Sequence, residues 1–195
     1  SMCRTAVGPD VDFQTLLDVG FVSMPVPEAP FAKGGFATPS GRCEFVSDRL
    51  SAQGLDPLPN HIPNYEVPVA GSAYPLAMIS PPARNFLNSS FVNVESLRAI
   101  EKEPLVEICF EDASARGIAT GDTVKVFNDR GEYHCKADVT TRARPGVVNG
   151  LGIWWRKMGL NGTNVNEVTS QLLTDLGRAP VFYDCQVEVA LLKKA

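Results

Sequence analysis

The chain has 195 residues, a length that suits one or two domains and can bury a core without help from disulfides or metal. Hydrophobic residues make up 44% and charged residues 21%, which excludes a disordered chain, and the net charge of −4 argues against nucleic acid as a partner. The 16 glycines and 15 prolines favour short strands joined by many turns, and no apolar run reaches the roughly 18 residues of a membrane span.

The opening Ser1-Met2-Cys3-Arg4 lacks a signal-peptide pattern. A serine before the methionine reads as a tag remnant, so a piece of a longer protein is expected. The first predicted element is a short helix capped by Asp10 or Asp12, with Phe13, Leu16 and Leu17 on one face and Gly20 as its stop. Thr38-Pro39-Ser40-Gly41 is a turn feeding a predicted strand from Arg42 to Val46. Pro57, Pro59, Pro63 and Pro68 make residues 51–73 an extended linker with almost no room for a helix.

From Tyr74 the texture changes. Strands are predicted at Leu76-Ala77-Met78-Ile79, at Leu105 to Phe110 and at Asp122 to Asn128, with a one-turn helix from Asp112 to Arg116 closed by Gly117. Asn128-Asp129-Arg130-Gly131 is a hairpin signal. The strand after it, Glu132 to Thr140, alternates so that Tyr133, Cys135, Ala137 and Val139 face inward and Glu132, His134, Lys136 and Asp138 outward. Val147-Val148 and Cys185 to Leu191 complete six short strands with single-turn helices between them, which predicts a closed barrel of about 120 residues.

Most catalytic motifs are absent. Gly150-Leu151-Gly152 starts like a dinucleotide fingerprint but has Trp155 where the third glycine belongs, and no phosphate-cradling Gly-x-x-x-x-Gly-Lys loop occurs. The two histidines, His61 and His134, fit no nucleophilic triad. The five dispersed cysteines lack Cys-x-x-Cys spacing, suit a reducing cytoplasm and read as small buried hydrophobes.

Two loops carry the remaining chemistry. Ser80-Pro81-Pro82-Ala83-Arg84-Asn85-Phe86-Leu87-Asn88-Ser89-Ser90 offers a fixed cation, two amides and three hydroxyls, an inventory for a phosphate plus a heterocycle. The same residues also suit a proline-stiffened surface loop that satisfies its own backbone. Asn161-Gly162-Thr163-Asn164-Val165-Asn166-Glu167 either matches the donor–acceptor edge of a pterin or guanine or caps a helix starting near Glu167, through Asn164 or Asn166. Trp154-Trp155 ends a strand, which places one ring in the core and leaves the other for a ligand or a neighbouring domain.

The run Asp112-Ala113-x-Ala115-Arg116-Gly117-Ile118-x-x-Gly121-Asp122-x-Val124-x-Val126-x-Asn128-x-Arg130-Gly131 resembles one family's C-terminal domain. Arg144-Pro145-Gly146-Val147-Val148, Trp154-Trp155, Asn164-Val165-Asn166-x-Val168-Thr169, Thr174-Asp175 and Phe182-Tyr183-Asp184-Cys185 continue the likeness in order. Upstream, Phe36-Ala37-Thr38-Pro39-Ser40-Gly41-Arg42-x-Glu44-Phe45 and Tyr74-Pro75-Leu76 extend it over nearly the whole chain. The family is the molybdopterin oxidoreductases of the dimethyl-sulfoxide-reductase type, with formate dehydrogenases and nitrate reductases among them.

The resemblance implies a mainly β fold, a double-psi β-barrel over residues 74–195 preceded by an irregular Pro-rich segment, 1–73, that ends the previous domain. It implies molybdopterin guanine dinucleotide, carrying molybdenum or tungsten in the parent enzyme, as the cofactor. Ser80, Arg84, Asn85, Asn88, Ser89, Ser90, Trp155, Asn166 and Tyr183 carry over as cofactor contacts, with Arg84 and the serines to phosphates and Asn166 to the pterin edge. The metal ligand and any iron–sulfur motif belong upstream, so no catalytic or metal residue is assigned here and the chain alone is expected to be inert. Implied partners are the upstream domains of the parent and an electron-transfer subunit. Two rival readings are a freestanding double-psi barrel that binds peptides or proteins, and a separate small subunit of a multi-subunit enzyme.

Overall fold

The computed structural model describes residues 13–23, 26–67, 69 and 71–195. The chain divides into two compact units, one ending at Asn60 and one running His61–Ala195.

In the first unit, helix α1 spans Phe13–Val19 and closes with Gly20 N–H donating to the Leu16 carbonyl at 2.9 Å, glycine adopting φ +81°. The Asp10 and Asp12 cap candidates lie outside the described residues. The Thr38 turn forms, with Gly41 N–H on the Thr38 carbonyl and the Thr38 hydroxyl on Arg42 O. The strand expected at Arg42–Val46 does not form. Glu44 folds back onto Ser40 N–H at 3.0 Å and Phe45 stands exposed, because no strand among the described residues takes up the backbone groups. Helix α2, Asp48–Ser51, follows instead, its start capped by the Ser47 hydroxyl accepting from Leu50 N–H.

In the second unit six strands close into a barrel: β1 Leu76–Ile79, β2 Leu105–Ile108, β3 Thr123–Asn128, β4 Gly131–Val139, β5 Val147–Leu151 and β6 Gln186–Lys193. Around the barrel the order is β1-β5-β2-β4-β3-β6. The β1·β5 and β2·β4 pairs are parallel and the other four are antiparallel. Hence β1, β3 and β5 point one way and β2, β4 and β6 the other. One barrel end therefore gathers residues 80–104, the 129–130 hairpin tip and residues 152–185. The opposite end holds residues 109–122 and 140–146.

The pleat fills the barrel as the alternation predicts. Val124, Val126, Tyr133, Cys135, Ala137, Val187 and Val189 are buried in one cluster with Leu76, Met78, Val106, Ile108 and Val148. The hairpin pairs Asn128 with Gly131 across a two-residue tip. Helix α4, Phe110–Ala115, starts two residues earlier than the sequence indicates, because Cys109 caps it. Helix α3, Glu95–Glu101, is two turns long and corrects the expectation of single-turn helices only.

At the far end Asp122, 2% exposed, receives Ala119 N–H and Ala195 N–H at 2.9 Å each and Lys194 Nζ at 3.0 Å. The Ala119 N–H first, then Ala195 and Lys194, hold its carboxyl below the usual aspartate range. A carboxyl depressed in the folded state stabilises above its unfolded pKa and loses that contribution as pH falls through the folded value. Asp122→Asn is expected to lower the melting temperature at neutral pH, and the gap from wild type should shrink as melts are repeated at acid pH.

Candidate functional site

The loop after β1 is built on a second apolar cluster. Ala83, Phe86, Val92 and Trp154 are buried together, and Phe86 meets Trp154 edge-on with ring centroids 5.1 Å apart. Leu97 of α3 packs against the same cluster. Between its buried anchors the loop turns outward: Ser90 N–H donates to the Leu87 carbonyl at 2.8 Å and Asn88 takes φ +51°, a left-handed conformation that asparagine tolerates. Arg84, Asn88, Ser89 and Ser90 are thereby exposed, while Ser80 and Asn85 are half-buried.

The loop after β5 lies against it. Gly152 N–H donates to the Pro81 carbonyl at 2.8 Å, and Trp155 Nε1 donates to the Ser89 carbonyl at 2.8 Å. The strand ends at Leu151, three residues before the tryptophans, so the pleat does not set their facing. Trp154 is nonetheless buried, and Trp155 is half-exposed with Lys157 over its ring. Further on, Asn164 is the cap: its Oδ1 accepts from Asn166 N–H at 3.0 Å and its Nδ2 donates to Trp154 O at 2.8 Å. The element it caps is a 3-10 turn, Val165–Glu167, and no helix follows among the described residues, because the chain turns directly onto the hairpin. With Asn164 spent on the cap, the exposed Asn166 side chain makes no hydrogen bond among the described residues. Tyr183 sits exposed on the approach to β6, its ring edge-on to Phe182.

The strand directions thus bring all nine predicted residues to one barrel end. Arg84 there has no ion pair among the described residues; at the same end Glu167 pairs with Arg156 at 3.0 Å and Glu101 accepts from Asn85. The loop after β1 presents the open Arg84 guanidinium amid hydroxyls and amides, a donor set that suits a phosphate-bearing heterocycle.

The barrel unit's three thiols are held in the protonated, unreactive form. Burial pushes the Cys185 thiol up to about 11 and raises Cys135 further, and burial also raises Cys109, which donates to Asp112. Cys43 is exposed, against the expectation of a buried hydrophobe, because the strand meant to carry it does not form. Among the described residues no group of three or more His, Cys, Asp or Glu side chains could hold a metal, and no helix is long and apolar enough to cross a membrane.

Sequence reasoning missed Glu101 and the helix that carries it. A signal was present: residues 94–101 contain no Gly or Pro and include Glu, Leu, Arg and Ala, all good helix formers.

The fold and site are those of a closed six-stranded β-barrel with two mutually fastened polar loops at one end. The molydopterin dinucleotide binding domain family matches residues 76–186. The chain is 32% identical over 180 residues to a probable oxidoreductase, YoaE, of Bacillus subtilis, covering 92% of this chain and 26% of that protein. It is 35% identical over 158 residues to the dimethyl sulfoxide reductase DmsA of Escherichia coli, covering 72% of this chain and 19% of that protein. The acetylene hydratase from Pelobacter acetylenicus shares the fold, with a TM-score of 0.70 at 18% identity over 87% of this chain and 26% of that one. The chain belongs to the molydopterin dinucleotide binding domain family of dimethyl-sulfoxide-reductase-type oxidoreductases. It spans about a quarter or less of the length of these relatives.

Proposed function

We propose that this chain binds and orients molybdopterin guanine dinucleotide as one domain of a larger molybdenum or tungsten oxidoreductase. The observation that carries this reading is the fastening of the two loops at one barrel end, through Trp155 Nε1 to Ser89 O and Gly152 N–H to Pro81 O. When bound, the metal and pterin supply two-electron chemistry. Arg84 and the hydroxyls of Ser80, Ser89 and Ser90 hold phosphate oxygens, Asn88 and Asn166 offer amides to a ring edge, and the Trp155 and Tyr183 rings offer apolar faces to the bound group. The metal ligand and the electron-transfer subunit lie with the rest of that enzyme, in a reducing cytoplasm that suits the free cysteines.

The test is an NMR titration of the labelled chain with GDP and then with the extracted pterin dinucleotide. Shifts confined to residues 80–91 and 152–167 and to Tyr183 are expected, and Arg84→Ala should weaken GDP about tenfold by removing a charge-assisted phosphate contact. Shifts centred on residues 109–122, at the opposite end, would overturn the reading.

A further inference from the structure

Asn85 differs from the other polar residues of its loop in having half of its amide already committed. Glu101 Oε1 accepts from Asn85 backbone N–H and from Asn85 Nδ2, both at 2.7 Å. An ionised carboxylate only accepts, so the amide nitrogen must face it and Oδ1 must face away. Asn85 Oδ1 makes no hydrogen bond among the described residues, and it is not sealed from solvent.

Glu101 is held in this post at some cost. A carboxylate at the last residue of a helix faces the unpaired carbonyl ends, where negative charge is disfavoured. The next residue, Lys102, adopts φ +68° and ψ −73°, and Glu103 N–H donates to the Glu101 carbonyl at 2.9 Å. That is the rare, strained form of the γ-turn, taken by a non-glycine residue. Arg98, one turn earlier, pins α3 to the same loop through Nη1 on the Val92 carbonyl at 2.9 Å.

We infer that Glu101 is a positioning residue that sets Asn85 to present an acceptor, so that position 85 reads the N–H edge of a 2-amino-pyrimidinone ring and not phosphate. The inference rests on the reading given under Proposed function and divides the loop by chemistry. Arg84 takes negative oxygen, whereas a phosphate reaching Asn85 would meet the Glu101 charge behind the amide. Guanine and pterin both carry the amino-pyrimidinone edge, and paired probes separate them.

Calorimetry on the whole chain would compare GDP with IDP, hydroxymethylpterin with lumazine, and pyrophosphate alone. IDP and lumazine each lack the 2-amino donor. Wild type is expected to prefer the amino-bearing member of one pair by about tenfold, and the pair that discriminates identifies the ring. Glu101→Ala should erase that preference while pyrophosphate affinity stays unchanged. Glu101→Gln keeps an acceptor at the same reach and should restore the preference. Asn85→Ala retains the backbone N–H bond to Glu101, so it should fold even if Glu101→Ala does not, and it too should lose the preference. Equal affinity within both pairs in wild type, with pyrophosphate still bound, would overturn the inference alone. So would a preference that survives Glu101→Ala or Asn85→Ala, or one that Glu101→Gln fails to restore. No binding of any probe would sink the cofactor reading and this inference together.

Discussion

Gly152→Val is expected to abolish GDP binding while leaving the six-stranded barrel folded. Gly152 stands where the loop after β5 crosses the loop after β1, at φ +70°. A β-branched residue there pays roughly 1–2 kcal/mol for the left-handed conformation alone. Contact adds to it: a Cβ at this position would lie 3.0 Å from the Ala83 Cβ and 3.2 Å from the Ala83 nitrogen. Ala83 cannot retreat, because it is buried in the cluster with Phe86 and Trp154. The loops must therefore part, breaking Gly152 N–H to Pro81 O and drawing Ser89 away from Trp155. Gly146→Ala is the control, since Gly146 has φ +79° but nothing within 4 Å of the added carbon. It should cost about 1 kcal/mol and leave binding intact. The expected result for Gly152→Val is a loss of affinity of about a hundredfold or more, with a stability loss of about 2–4 kcal/mol. Unchanged GDP affinity in Gly152→Val would show that the fastened loops are not the binding surface.

The barrel was legible because its strands read with a period of two. Tyr133, Cys135 and Ala137 alternate with His134, Lys136 and Asp138, and the Asn128–Gly131 hairpin signal sets the register between β3 and β4. Where the local pattern needs a partner to become a strand it misled: Arg42–Val46 alternates, yet no described edge accepts it. The loops were legible as chemistry but not as a place. Whether residues 80–90 and 161–167 share an end depends on strand directions, set by the pairing of β1 with β5 and β6, contacts between segments about 70 to 110 residues apart. Asn164 and Asn166 are equivalent as cap candidates in sequence, and only the backbone path of the 3-10 turn gives the cap to Asn164 and frees Asn166. Glu101 was invisible for the same reason, since its bond to Asn85 joins residues 16 apart through the packing of α3 on the loop.

Arg130→Ala is expected to release residues 61–67 from the barrel with a loss of about 2–3 kcal/mol. Arg130 leaves the β3–β4 hairpin tip and divides its fork. Nε donates to the Val168 carbonyl at 2.8 Å, while Nη1 and Nη2 bind Glu66 Oε1 and Oε2 at 2.5 and 3.1 Å. Glu66 Oε2 also accepts Gln186 N–H at 2.7 Å, at the first residue of β6. Both side chains are only partly buried, 34% and 20% exposed, so the estimate sits below that for a fully buried pair. Arg130→Lys should recover less than half, because one ammonium cannot reproduce a bidentate grip on Glu66 together with a bond to Val168. A double-mutant cycle with Glu66→Gln, which keeps an acceptor for Gln186 N–H, should give a coupling of about 1–2 kcal/mol. Val168 O retains Asn128 Nδ2 at 2.9 Å and Cys185 Sγ at 3.1 Å, so the loop end stays seated when the arginine is gone. Hydrogen exchange in Arg130→Ala should therefore rise at Gln186 N–H, which Glu66 holds, well before it rises in β3, β4 or the rest of β6. A uniform rise across all three would mean that Arg130 belongs to the cooperative core of the barrel and not to a tether on its surface.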